Sequence, residues 1–473
     1  MYRRNITHIL TPLALAIALV IGYHLFVKPS LTISSRASSP PAETVEPVAP
    51  PPPPPSRPRE EEVRSIRVLD QSIVPKTSHE ALLETIRDEI DKHNLTLAET
   101  KLKELPAAVL SDGNIKPFIA ILWNNLGLLQ ERLNGTQLSM KAFKRAADLD
   151  DTNPVILLNL AQAYWEQRDR ALNAEFLKKL IRLAPGEPFP HLAMADLLQE
   201  QDQLAEAAKH LAQATDRARK DPGLQSYLAA VTAKVRRTEA VESRMTARSS
   251  THFMVKFDGD EDQGTWHAVL EILEEAYREI GQKFGHFPSK SIVVVLHTKD
   301  SFQGATGSPA WADGLYDPSL GRIQIPTQGA TTDMKWLANV LRHEYVHALL
   351  HDRLGRSSGA LPTWLNEGLA MQLAGDAWPE LDEAMQGDIQ VIPLTYLEGS
   401  WGALPASTAT VAYLEANSAT HYLIDRWGMA RVNELLEAFK ANASVATALQ
   451  NKLFVSYEQF HQQWIESFEG HRS

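Results

Sequence analysis

The stretch His343-Glu344-Tyr345-Val346-His347 places two imidazoles four residues apart, with a carboxylate beside the first. On a helix that spacing puts both histidines on one face, one turn apart, so their Nε2 atoms can converge on a single ion. Neutral imidazoles are good zinc donors at about 2.0–2.1 Å. Glu344 then falls beside the open coordination position rather than on the ion. There it can take a proton from an attacking water and return it to a leaving amine. A surface helix that merely displays two histidines and a glutamate reads the same over these five residues. The second element decides between the two: Trp364-Leu365-Asn366-Glu367-Gly368-Leu369-Ala370 follows shortly, announced as a helix by Pro362 and Thr363. Glu367 completes a set of two His, one Glu and one water, which leaves the open position a hydrolase needs. Gly368 and Ala370 are small, which lets this helix lie close against the first. The expectation is one Zn2+ per chain, on His343, His347 and Glu367, with Glu344 as base.

These side chains need a scaffold, and residues 250–473 read as one of their own, an α+β domain. Thr332–Leu350 has helical spacing, with Trp336, Val340, Tyr345 and Leu349 among its apolar positions. Upstream, Thr251–Phe257 and Ser291–Leu296 read as strands, the second rich in β-branched residues. Between them, Val269, Ile272, Leu273, Ala276 and Ile280 fall on one face of a helix over Trp266–Phe284. Gly321–Pro326 is a short alternating run closed by proline, which suits an edge strand. His252, His267, His286 and His297 have no partner at ligand spacing and read as structural or solvated. His351, one turn beyond His347, reads as a surface residue, a helix-end cation or a support for the site.

Residues 78–245 carry a different pattern. Asn153-Pro154 recurs as Glu187-Pro188 and Asp221-Pro222, at a period of thirty-four residues. At the same spacing come Leu126, Leu160 and Met194; Gly127, Ala161 and Ala195; Phe143, Leu177 and Leu211; and Ala146, Leu180 and Ala214. Small residues thus stand where two helices must touch, and large ones where they bury their inner faces. This resembles the tetratricopeptide repeat, over about three copies at 120–221. Asn173 and Ser139 stand where the repeat prefers Ala, found only at Ala207. The resemblance implies an all-α superhelix with a groove that takes a peptide segment or a partner protein; a spacer that carries the next domain is the plainer alternative.

The pair of His343–His347 and WLNEGLA resembles the gluzincins, and most closely the peptidase MA-like family, over about residues 250–430. Metallo-aminopeptidases share WLNEG but also carry a Gly-x-Met-Glu-Asn motif for the substrate's amino group, and no such motif lies upstream here. An endopeptidase or a very selective carboxyl-side processor therefore fits better. The resemblance implies an edge strand above the zinc helix that pairs with an extended substrate, which points to Gly321, Ile323 and Ile325; an ordinary edge strand reads the same. It also implies a downstream Tyr or His that stabilises an oxyanion. Tyr413, in the helix Val411–Trp427, is the first choice, with His421 and Tyr422 as alternatives, although a Tyr at helical spacing also suits a core.

The chain as a whole sets the frame. Its 473 residues exceed one ordinary core, and 44% hydrophobic with 22% charged residues is normal for folded protein. A net charge of -11 without a basic block argues against nucleic acid as a partner. With no cysteines, disulfides, thiolate zinc sites and a Cys nucleophile are excluded. Arg3 and Arg4 precede an apolar run from Ile6 to Val27, long enough to span a bilayer, so residues 1–30 read as a membrane anchor or a signal peptide. Residues 31–77, with a proline run from Pro50 to Pro55, read as an extended linker. The expected arrangement is multidomain: transmembrane helix, repeat superhelix, then a gluzincin-like metallopeptidase domain, single-pass in the inner membrane with the body facing the periplasm. Its expected partners are a protein or peptide substrate and a protein in the repeat groove. The rival from another class is an adaptor whose zinc domain is inactive or structural; a zinc hydrolase or transferase acting on non-peptides is a third.

Overall fold

The computed structural model describes residues 69, 73–134, 136–167, 169–258, 265–306, 313–327, 332–375, 391–401, 404–440 and 443–469. The expected anchor lies outside the described residues, as does the linker up to residue 68. Among the described residues, no helix is long and apolar enough to cross a membrane.

The first part is built from helices: α1 (Glu80–Asp91), α2 (Leu95–Lys103), α3 (Ala107–Ser111), α4 (Lys116–Asn134), α5 (Thr136–Leu149), α6 (Pro154–Glu166), α7 (Ala174–Leu183), α8 (Phe189–Glu200), α9 (Leu204–Arg217) and α10 (Pro222–Glu242). The recurring X-Pro pairs mark helix starts for a local reason. Proline at the first helical position lacks an N–H that would have no partner there anyway. The residue before it caps: Asn153 accepts from the N–H groups of Val155 and Ile156, and Asp221 from that of Leu224. The phased positions are buried in each copy: Leu126, Leu160 and Met194, then Phe143, Leu177 and Leu211, then Ala146, Leu180 and Ala214. The small residues Ala161 and Ala195 are buried as well. At Gly127, a Cβ would stand 2.8 Å from the ring of Phe143, so α4 and α5 approach only because that position has no side chain.

The second part is mostly helical around a small mixed sheet. Its elements are β1 (Thr246–Ser249), β2 (Phe253–Phe257), α11 (Thr265–Phe284), β3 (Ile292–Thr298), α12 (Lys299–Thr306), β4 (Leu315–Asp317), β5 (Arg322–Thr327), α13 (Met334–Leu354), α14 (Thr363–Ala374), α15 (Ala406–Lys440), α16 (Val445–Leu453) and α17 (Tyr457–Glu469). Within α15 the chain bends at Gly428, whose φ of 79° is left-handed backbone that glycine adopts without strain. The strand order is β1-β2-β3-β5-β4; β2, β3 and β5 run parallel, and β1 and β4 pair antiparallel at the two edges.

This order corrects one expectation. The run containing Gly321, Ile323 and Ile325 is not an edge strand: β5 lies between β3 and β4, and Ile323 and Ile325 are fully buried in the core. Gly321 is outside the strand, in the turn from β4, with φ 66°. Pro326 sits near the strand's end opposite His297, so its missing N–H costs the ladder little. The edge is the three-residue β4, too short to show as an alternating pattern.

The two parts meet through charge as well as apolar contact. Lys256 on β2 bridges Asp202 at 2.6 Å and Glu242 at 2.9 Å. Arg322 on β5 pairs with Glu242, and with Asp202 at 3.4 Å. Lys234 on α10 reaches Asp317 on β4 at 2.6 Å, and Leu320 packs into the cluster formed by α8, α9 and α10.

Candidate metal centre

α13 starts at Asp333, whose side chain accepts from the N–H groups of Lys335 and Trp336. Its apolar side, including Leu337, Leu341, Tyr345 and Leu349, is buried in the domain core. That anchoring directs His343 and His347 toward α14. Their Nε2 atoms are 3.2 Å apart, and Glu367 Oε2 lies 3.4 Å from the first and 3.5 Å from the second. Donors at about 2.05 Å from one centre in a tetrahedron are about 3.3 Å apart, so this triangle has the size that a single Zn2+ requires. His343, His347 and Glu367 are the group of His and acidic side chains that converges in this way among the described residues.

The neighbours fix how these groups point. His347 Nδ1 is 3.3 Å from Asn366 Oδ1. An amide oxygen only accepts, so Nδ1 carries the proton and the Nε2 lone pair faces the other donors. Burial pushes the Glu367 carboxyl up, but the imidazoles of His347 and His343 outweigh it and hold Glu367 well below the usual carboxylate range. At His347 burial works against the charged form, and Glu367 outweighs it and raises the imidazole. The pocket therefore favours a cation between the three groups.

Glu344 is buried, and burial raises its carboxyl above the ordinary value even though both histidines pull the other way. Its Oε2 accepts the backbone N–H of Tyr316 on β4 at 2.6 Å. The approach of β4 depends on Gly314, where a Cβ would stand 2.6 Å from Val340 Cγ1 and 3.2 Å from Glu344 Cγ. Tyr316 is held a second time, its hydroxyl 2.8 Å from His351 Nδ1. His351 thus ties the edge strand to α13 rather than standing at the surface.

Tyr413 on α15 packs edge-on against Trp401, with ring centroids 5.0 Å apart. Burial, then the charges of Glu367 and Glu344, raise its hydroxyl well above the ordinary tyrosine value, so it keeps its proton and can donate. The alternatives face elsewhere: Tyr422 packs against Trp427 and Phe460, and His421 lies exposed 3.3 Å from Gln372 Oε1. Gly368 explains how α15 comes so near. A Cβ there would collide with Thr420 and the carbonyl of Ala416, both on α15. The small residue therefore makes room for α15, not for α13 as its sequence context suggests.

Sequence reasoning missed three supports: Tyr316, Asn366 and Gly314. Asn366 was within reach, since it adjoins Glu367 in the WLNEG run. The Tyr316 contact is a main-chain donor and has no side-chain signature.

Residues 277–470 match the family model of the Peptidase MA superfamily. The matched span contains His343, Glu344, His347, Glu367 and Tyr413. No curated protein sequence matches the chain.

Proposed function

We propose that the chain is a membrane-anchored, zinc-dependent endopeptidase, with tetratricopeptide repeats over 78–245 that recruit its substrate or a partner protein. The observation that carries the peptidase reading is the triangle of His343, His347 and Glu367 beside a buried Glu344. These three residues would hold the Zn2+, and when bound it supplies a Lewis acid that acidifies water and polarises a carbonyl. Glu344, raised by burial toward the working pH of a base, takes the proton of the attacking water and passes it to the leaving amine. The Tyr316 N–H keeps its carboxylate in place. The Tyr413 hydroxyl donates to the oxygen on which charge develops. Strand β4, at the sheet edge, replaces β5 as the element that would pair with an extended peptide. The buried phase of the thirty-four-residue period supports the repeat reading, and the apolar run Ile6–Val27 after Arg3 and Arg4 supports an inner-membrane anchor with the body in the periplasm.

The test is metal content beside cleavage. The purified chain is expected to hold about one zinc, lost in His343→Ala and kept in Glu344→Gln, with cleavage of a protein substrate abolished in both. A folded chain without zinc would sink the reading and leave the adaptor in front.

A further inference from the structure

The turn from β4 to β5 joins the helical part to the metal centre. Leu320, buried in that turn, packs into the apolar cluster of α8, α9 and α10. Lys234 on α10 reaches Asp317 Oδ2 at 2.6 Å, and the same ammonium donates to Ser319 Oγ at 2.8 Å. Asp317 is buried, and burial pushes its carboxyl up; Lys234 and then Ser319 outweigh that and hold it below the ordinary aspartate value. Asp317 also shapes the turn. Its Oδ1 accepts from the N–H and the hydroxyl of Ser319, and its carbonyl accepts from the N–H groups of Leu320 and Gly321. Tyr316 comes directly before it. Successive residues of a strand face opposite sides, so Asp317 turns toward α10 while the Tyr316 side chain turns toward α13, where it meets His351. The Tyr316 N–H donates to Glu344 Oε2 at 2.6 Å. One three-residue strand thus carries, on neighbouring residues, a contact to the helical part and the contact to the base. That strand pairs with β5 alone, so few ladder bonds hold it in place.

We infer that Lys234 is a positioning residue for Glu344: by holding Asp317 it fixes β4 where the Tyr316 N–H meets the Glu344 carboxylate, so the helical part sets the activity of the metal centre. The inference rests on the proposed peptidase reading, and adds that residues 78–245 set the position of the base as well as recruit. Removing the ammonium strips a buried carboxylate of its cation, and a small shift of β4 toward water relieves that cost. The same shift withdraws the Tyr316 N–H from Glu344. A displacement of about 1 Å at a reacting group is enough to cost one or two orders of magnitude in rate.

The test uses the full chain and two readouts. Hydrogen exchange, resolved to single amides by mass spectrometry, follows the Tyr316 N–H without any substrate, and turnover of fluorescein-labelled casein gives kcat. Lys234→Met keeps the aliphatic stem and removes the charge. It is expected to speed exchange at Tyr316 about tenfold or more and to lower kcat about tenfold, with zinc content unchanged. Lys234→Arg is expected to restore both. Lys290→Met breaks a different bridge between the two parts, to Glu200 on α8, and is expected to change neither. If Lys234→Met does not fold, Lys234→Gln, which keeps a neutral donor, carries the same expectation. Unchanged exchange at Tyr316 in the Lys234 variant, equal acceleration in Lys290→Met, or faster exchange with undiminished kcat overturns the inference. The peptidase reading stands or falls separately, on zinc content and on the Glu344→Gln comparison.

Discussion

Two buried clusters of ionisable side chains do opposite things in this molecule. Asp202, Glu242, Lys256 and Arg322 bring two anions and two cations together where the helical part meets the sheet. Every charge there faces an opposite one, and the cluster is closed. His343, His347, Glu344 and Glu367 bring two carboxylates and two imidazoles together, and among the described residues no Lys or Arg stands in ion-pair contact with the three converging donors. With neutral imidazoles that cluster carries two negative charges, and its donor atoms share one focus. A balanced cluster is a joint between elements; an unbalanced, convergent one asks for a cation. The difference separates structural from chemical charge without reference to any motif.

The largest effect expected from breaking this contrast is on catalysis. Glu344→Gln should lower kcat by about 10²–10⁴ while metal content and melting temperature hold. Tyr413→Phe comes next, with kcat down roughly 10²–10³ and KM little changed. Steady-state kinetics on one protein substrate measures both, and an undiminished kcat in Tyr413→Phe would return the tyrosine to the core. In the closed cluster the effect should fall on stability instead. Glu242→Ala leaves Arg322 and Lys256 to share Asp202, two buried cations on one carboxylate, and urea unfolding should register a loss of about 3 kcal/mol. Zinc content of the folded Glu242→Ala chain should be unchanged, and a loss of zinc there would mean that the two clusters are not independent.

The smallest effect concerns a third buried carboxylate that belongs to neither cluster. Glu415 accepts the N–H of Ile392 at 2.9 Å, while its Oε2 has no hydrogen-bond partner among the described residues. Burial pushes it up to about 7, against the pull of the Ile392 N–H. Because the folded value lies above the ordinary 4.5, the folded chain holds this proton more tightly than the unfolded chain. The stability so contributed is full below pH 4.5 and is lost as pH rises through 7. Glu415→Gln cannot ionise. It should therefore raise the melting temperature relative to the unaltered chain at pH 8 and change it much less at pH 5. Equal shifts at the two pH values would mean that Glu415 is not the group that titrates.

Much of this was legible along the chain. The four-residue spacing of His343 and His347, and Glu367 in the next helix, are local facts, and the helix period alone aligns them. The thirty-four-residue period picked out buried positions from Leu126 to Ala214, because repeated contacts between neighbouring helices impose the same choice at each copy. The helix over Trp266–Phe284 and the strands before and after it lie within two residues of the predicted bounds.

What could not be read was the arrangement of elements against one another. Gly321–Pro326 has the alternation and proline of an edge strand, yet it lies inside the sheet because β4, only three residues long, covers it. Gly368 was legible as a close approach, but its partner is α15, since a missing side chain does not say which neighbour fills the space. The sequence by itself determined the donor set and the period, because both are carried by side-chain types at fixed separations within a helix or a repeat. Only the tertiary structure decided that a Tyr316 main-chain N–H holds Glu344. Every residue but proline offers the same backbone donor, and only the folded path brings one of them to a particular side chain.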